Sequence, residues 1–412
     1  MRRDLDVNLG EKLRPHPRLA LFGARLAARA RQDWAAGVLV FALFWIAAAA
    51  GISGGIQKHG LPDGARGGGI EVMLTAEAKK PYVYRQLAPL IANALDRVVP
   101  QATQDAIGNA AAPESTYASV RSATNPQFRF RWVCVYYLCF LALLGSLFVL
   151  RRILLDYGTG ALPALAAPAI FAVAFPYIQT VGGYYYDAIE LFFTALAFRA
   201  AMTNRLWLLL AAAFLGTLNK ESFFFFVPAL YPLLHARLGR RRALWEAAGT
   251  LLVAGIVNVA MKAMFFHAPG VAAEFKLFRN ILEYINPLTY LRLENTYGIA
   301  GPHGVFIGTL LVIALVVLRG WRDAAPEVRR HVLIGACVNL PLFVVFCAPG
   351  ELRNLSLMFV GFVVLSGHAL QGWDSAARDD AVPAAPDVVP AHAGTHADGL
   401  RVTGHGFPLS RE

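Results

Sequence analysis

Long apolar blocks separated by short basic segments run through most of the chain. The cleanest lie at 34–53, 132–150, 243–266, 304–318 and 355–373. A helix that crosses a bilayer needs about 20 mostly apolar residues, within a range of about 17–25. Further blocks at 162–180, 188–203, 206–218, 222–236 and 331–348 are shorter or interrupted by Pro or Gly. The pattern predicts an all-α, polytopic helical membrane protein of about ten spans. Residues 54–131 and 267–303 become two long outer loops, and 181–187 and 349–354 become short outer turns.

Two weaker periodicities lie outside the spans. Residues 18–31 place Leu, Phe and Arg at helical spacing, which predicts an amphipathic helix on the cytoplasmic surface. In the first outer loop, Pro81 predicts a break before a helix that starts near Tyr84. Its Leu87, Leu90, Ile91 and Leu95 share one face, so it lies on the outer membrane surface or packs on the bundle.

Composition agrees with this reading. Of 412 residues, 57% are hydrophobic and 16% charged, against about 25% charged in a soluble chain. The net charge of +11 does not point to nucleic acid, because no stripe interleaves aromatic and basic residues. The arginines instead border the apolar blocks, at 2–31, 151–152, 199–205, 237–242 and 319–330. Basic loops stay in the cytoplasm, so both termini of this multi-pass chain are expected there. Three parts follow: a basic N-terminus at 1–33, a transmembrane domain at 34–373, and a tail at 374–412. The tail is rich in Ala, Pro, Asp and His and is expected to be disordered. Cys134, Cys139, Cys337 and Cys347 fall in spans or at their ends with no CxxC spacing, and read as small packing residues.

Ionisable groups at membrane depth are costly and mark function by default. Four constellations qualify. In 71–95, Glu71 and Glu77 precede Arg85, placed in the first helical turn where a cation is unfavourable and needs a carboxylate or phosphate partner. In GGYYYDAIEL, Asp187 opens a helix as a cap, behind tyrosines that include Tyr186 and one turn before Glu190. The short blocks 206–218 and 222–236 predict a hairpin with Lys220 and Glu221 at its tip, facing a cavity or closing the hairpin as a pair. In PGELRN, Glu351 and Arg353 share a short turn, which by itself is a weak surface pair. All four fall on the same predicted side of the membrane. Arg matches phosphate oxygens in pairs and Lys supplies a point charge, while a carboxylate can serve as general base.

With PYVYRQLAP followed by an interfacial helix, and LGTLNKES ending at Ser222, the chain resembles the C-type glycosyltransferase superfamily of polytopic membrane enzymes over roughly 34–373. It lacks the adjacent acidic pair that many members carry after the first span; Asp63, Glu71 and Glu77 are the candidates there. The resemblance implies inverting transfer of a sugar from a polyprenyl-phosphate donor to an unknown acceptor at the outer face. Glu71 would be the base, with Asp187 as its rival. Arg85, Lys220 and Arg353 would hold the donor phosphate, supported by Glu77, Tyr186, Glu221 and Glu351. It implies no certain cofactor, although some members use a divalent metal; the outer histidines His59, His267 and His303 are too widely spaced for a closed ligand set. The alternatives are a transporter or flippase, or a polymerase or ligase for lipid-linked sugars. A non-enzymatic assembly factor would tolerate loss of the outer carboxylates.

Overall fold

The structure is a computed structural model and describes residues 17–60, 67–111, 125–296 and 299–381. It is built almost wholly of helices. The first, α1 (Pro17–His59), is continuous; the side chains of the amphipathic segment expected at 18–31 lie outside the described residues. The first long loop folds into α2 (Ile70–Leu74), a 3-10 turn (Tyr82–Tyr84), α3 (Leu87–Val98) and α4 (Gln101–Ala111). Then follow α5 (Pro126–Asp156), α6 (Ala161–Ile178), α7 (Tyr185–Met202), α8 (Leu206–Asn219) and α9 (Phe223–Met264). The second long loop carries α10 (Leu277–Ile285) and a two-stranded antiparallel ribbon, β1 (Leu293–Thr296) with β2 (Ile299–Pro302), in which Leu293 faces Pro302. The chain closes with α11 (Ile307–Asp323), α12 (Pro326–Phe346) and α13 (Ser356–Ala381). The last helix runs beyond the predicted end at Trp373, and the rest of the tail expected to be disordered lies outside the described residues.

Every predicted apolar block is helical. Among the described residues, six helical stretches are long and apolar enough to cross a membrane: Trp34–His59, Pro126–Asp156, Ala161–Ile178, Phe223–Met264, Pro326–Phe346 and Leu352–Trp373. The pair expected at 222–236 and 243–266 is the long α9, broken at Gly239 by a positive φ of 73° within the Arg237–Arg242 basic cluster. That backbone shape is open to glycine and strained for other residues.

The other apolar helices are short or polar for a physical reason. α7 carries Asp187, Glu190 and Arg199, yet almost every side chain from Tyr185 to Met202 is buried. Wrapped by α5, α8 and α9, it need not present an apolar face to lipid. Polar groups inside a bundle are tolerated where protein satisfies them. Close approaches tighten the bundle. A Cβ at Gly51 would lie 2.5 Å from the Ala172 carbonyl oxygen of α6, and one at Gly320 would lie 2.1 Å from that of Leu365 on α13. Small residues at such crossings let helix backbones meet.

The amphipathic helix of the first loop forms, but later than the sequence suggests. It starts at Leu87, after the 3-10 turn that ends at Tyr84. Ala88 and Ala92 face the bundle, while Leu90, Ile91 and Leu95 are exposed. Arg85 therefore precedes the helix instead of sitting in its first turn, which removes the expected clash with the helix dipole. A backbone hydrogen bond from Lys80 to Pro269 (2.8 Å) joins the two long loops.

Candidate functional site

The site grows from the start of α7. The Asp187 carboxylate accepts the Tyr184 backbone N–H at 3.0 Å, the capping role expected of it. This fixes three consecutive tyrosines at the helix entrance. The Tyr184 and Tyr186 rings stack at 5.1 Å, and Tyr82 from the first loop stacks on Tyr184 at 5.3 Å, with the Tyr184 hydroxyl donating to that of Tyr82 (3.1 Å).

The tip of the α8–α9 hairpin meets this stack. Asn219 donates its amide to the Tyr186 carbonyl at 2.9 Å. The hairpin can close so tightly because residue 216 is glycine: a Cβ there would lie 2.5 Å from the buried Phe223 ring. Lys220 is thereby held at 3% exposure. Its Nζ lies 2.7 Å from Glu190 Oε2 and 3.9 Å from Asp187 Oδ1. The Ser222 hydroxyl donates to the other Glu190 oxygen at 2.7 Å.

The remaining cations arrive from two other connections, the first long loop and the short turn before α13. The Gln86 backbone N–H bonds the Leu218 carbonyl at 3.0 Å and pins Arg85 beside the hairpin. Arg85 then makes a two-pronged contact with Glu221, Nη2–Oε1 at 2.9 Å and Nε–Oε2 at 3.2 Å. Arg353 bonds Asp187 through Nη1 at 3.2 Å and Glu351 through Nη2. Tyr186 lies at the centre: the Arg85, Lys220 and Arg353 cations sit 4.3, 5.7 and 6.0 Å from its ring centroid. A cation over an aromatic face is stabilised, more so when desolvated.

Arg85, Lys220, Arg353, Asp187, Tyr186, Glu221 and Glu351 thus converge, although they come from four separate stretches of sequence. Glu71 and Glu77 do not join them: Glu71 sits on α2, Glu77 is exposed, and neither lines the cavity described next. Sequence reasoning missed Glu190 as a partner of Lys220 and Tyr82 as a wall of the stack. The three-residue step from Asp187 to Glu190 puts both on one helical face and was a usable signal. Tyr82 had none, because a folded loop delivers it.

A cavity of about 510 Å³ opens over this cluster. Arg85, Lys220, Glu221, Glu351 and Arg353 form its polar floor, and Phe225, Leu342 and Phe346 an apolar wall. Lys80, Lys262 and Lys276 also line it, so six basic side chains face three acidic ones. Lys276 pairs with Glu274 at 3.1 Å, and Lys80 donates to the Phe266 carbonyl at 2.7 Å. Arg353 Nε is buried without a hydrogen-bond partner. Floor charges are matched by carboxylates, while the lysines leave the cavity lining positive. Among the described residues no group of three or more His, Cys, Asp or Glu side chains could hold a metal ion. The carboxylates of the cluster are engaged by cations, so these residues do not fit a divalent metal.

Burial works against ionisation of Glu221, but the Arg85 charge and its hydrogen bonds win and hold the carboxyl below its ordinary value of 4.5. A carboxyl with a depressed folded pKa stabilises the fold above its unfolded pKa, and loses that contribution as pH falls through the folded value. Wild-type protein should therefore exceed Glu221→Gln in thermal midpoint by a constant margin above about pH 5. The margin should shrink on acidification below about 4.5. Midpoints measured across this range in detergent check it.

No protein-family model, curated protein or solved structure matches this chain.

Proposed function

We propose that the chain is a membrane glycosyltransferase of the bacterial inner membrane. It would move a sugar from a polyprenyl-phosphate donor to an acceptor at the outer face, with ten crossings and both termini cytoplasmic. The observation that carries this reading is the cavity: a cation-rich lining over a buried cluster of charges, walled on one side by apolar residues of membrane helices. An anionic head joined to an apolar tail matches both halves.

The chemistry follows from the floor. The donor phosphate takes the place of the Glu221 and Glu351 carboxylates on Arg85 and Arg353. Asp187 and Glu190, at 4% and 0% exposure, keep Arg353 and Lys220 in position from behind. Glu221, released from Arg85, becomes the base. The acceptor oxygen bonds to the anomeric carbon, and Glu221 takes its proton. The bond from that carbon to the phosphate oxygen breaks, and its electron pair leaves on the polyprenyl phosphate. The charge that develops there lies among preorganised cations, which is where such groups lower a barrier most. Glu71, favoured by family resemblance, does not line the cavity, so the base role passes to Glu221.

The test is transfer by purified protein in nanodiscs supplied with radiolabelled polyprenyl-phosphate sugars and a lipid-linked acceptor. Label should move to the acceptor and free polyprenyl phosphate should accumulate. Movement of the intact donor between leaflets of proteoliposomes without transfer would support a flippase instead.

A further inference from the structure

The second outer loop turns an apolar face away from the protein. Phe278, Ile281, Leu282 and Ile285 stand at i, i+3, i+4 and i+7 of α10, one side of a helix. Phe278, Leu282 and Ile285 are each 74% exposed. The opposite side is closed. Asn280 is fully buried and donates its amide to the Val344 and Cys347 carbonyls, at 2.6 and 2.9 Å. The Lys276 backbone N–H donates to the Val345 carbonyl at 2.8 Å, and the Tyr284 hydroxyl accepts the Gly350 N–H at 3.3 Å. The last carbonyls of a helix lack partners within it; α10 supplies them for α12. It is thus bolted to the end of α12 with its apolar side outward.

The exposed apolar surface extends beyond the helix to Phe275, Leu288 and Leu291, at 58%, 65% and 61% exposure. Patches of this kind mark a surface that something covers. Its occupant is indicated by what it adjoins. The Phe275 ring lies 6.5 Å from that of Phe346, the last residue of α12, one of the membrane-crossing helices. Leu333, Leu340 and Phe346 of α12 are themselves exposed, at 52%, 44% and 40%. The patch therefore prolongs the wall that α12 turns to lipid, and Arg279 borders it where headgroups would lie.

We infer that α10 is an interfacial helix, with its Phe278, Leu282 and Ile285 face seated in the bilayer at the boundary of headgroups and acyl chains. Its neighbour, the 271–276 segment, lines the cavity. Anchoring α10 holds that wall at the lipid surface, so the cavity mouth opens where a lipid head can enter. The inference stands apart from the sugar-transfer reading, since it concerns depth in the membrane and not reaction.

The experiment is spin-label accessibility on the full chain in phosphatidylcholine–phosphatidylglycerol nanodiscs. Single cysteines are introduced as Phe278→Cys, Arg279→Cys, Leu282→Cys, Glu283→Cys and Ile285→Cys in a background where the four native cysteines are alanine. Labels at 278, 282 and 285 should collide more with oxygen than with a water-soluble nickel chelate, and labels at 279 and 283 should show the reverse. Free access of the nickel chelate to all five positions would place the face in water and overturn the inference. Protection of 278, 282 and 285 from both reagents would also overturn it, with protein and not lipid as the cover. A second control is thermal stability: the variants at 278, 279, 282 and 285 should match the cysteine-free parent, because these side chains are exposed, whereas Glu283→Cys gives up the pair with Arg292 and the contact with the Thr289 hydroxyl and should fall slightly below it.

Discussion

Lys220→Met should lower stability by about 3–5 kcal/mol, the range for removing one partner of a buried ion pair. The reason is Glu190. It has no exposed surface, and its two oxygens are taken by Lys220 and Ser222. Without the ammonium, a carboxylate remains unpaired in a site that water does not reach, which strains the packing of the hairpin tip on α7. The same substitution removes one of the cations over Tyr186 and the 3.9 Å contact with Asp187. Replacing both partners, Lys220→Met with Glu190→Leu, should recover most of the loss, because removing a buried pair together is often close to neutral. Thermal midpoints of the two single variants and the double variant give the coupling directly. A single variant as stable as wild type would mean that the pair is hydrated, and the buried cluster would then not be what holds α7 to the hairpin.

Glu221→Gln should reduce the proposed sugar transfer by about 10²–10⁴-fold in kcat, the usual contribution of a positioned base. The amide keeps the shape of the side chain but cannot take a proton. It also weakens the hold on Arg85, so affinity for the donor phosphate should stay level or rise. A fall in kcat with unchanged or tighter donor binding separates the base role from a structural one, which would weaken both. Asp187→Asn should behave differently: it loosens Arg353 and the cap of α7, so stability and donor affinity should fall together. Transfer rates and donor dissociation constants for both variants check the distinction. Full activity in Glu221→Gln would pass the base role to Glu351, the other floor carboxylate.

The helical blocks were readable because lipid imposes a length and an apolar composition on anything that crosses it. The LGTLNKES hairpin was readable for the same reason in reverse: two blocks too short to span comfortably, with charges between them, have to turn. The capping role of Asp187 followed from its place at a helix start. What the sequence did not reveal is the pairing of charges. Arg85 meets Glu221 and Arg353 meets Asp187 only because separate loops bring them together, 136 and 166 residues apart in the chain. The reading of Glu71 as base rested on a loop position, and that loop folds into α2 with Glu71 outside the cavity lining. The lipid-facing side of α10 was also legible in principle from its helical spacing. It was overlooked because nine residues in a long polar loop fall below the length that signals a span.

The most direct measurement is binding of a short-chain polyprenyl phosphate against the matching polyprenol, with the protein in nanodiscs. The two ligands share a tail and differ only in the phosphate. If the cation-rich cavity recognises a lipid phosphate, the phosphate should bind at least about tenfold tighter, or about 1.4 kcal/mol. That preference should weaken in Lys262→Gln, which removes a lysine of the cavity lining that lies outside the buried cluster. Equal binding of the two ligands would contradict a lipid-phosphate site.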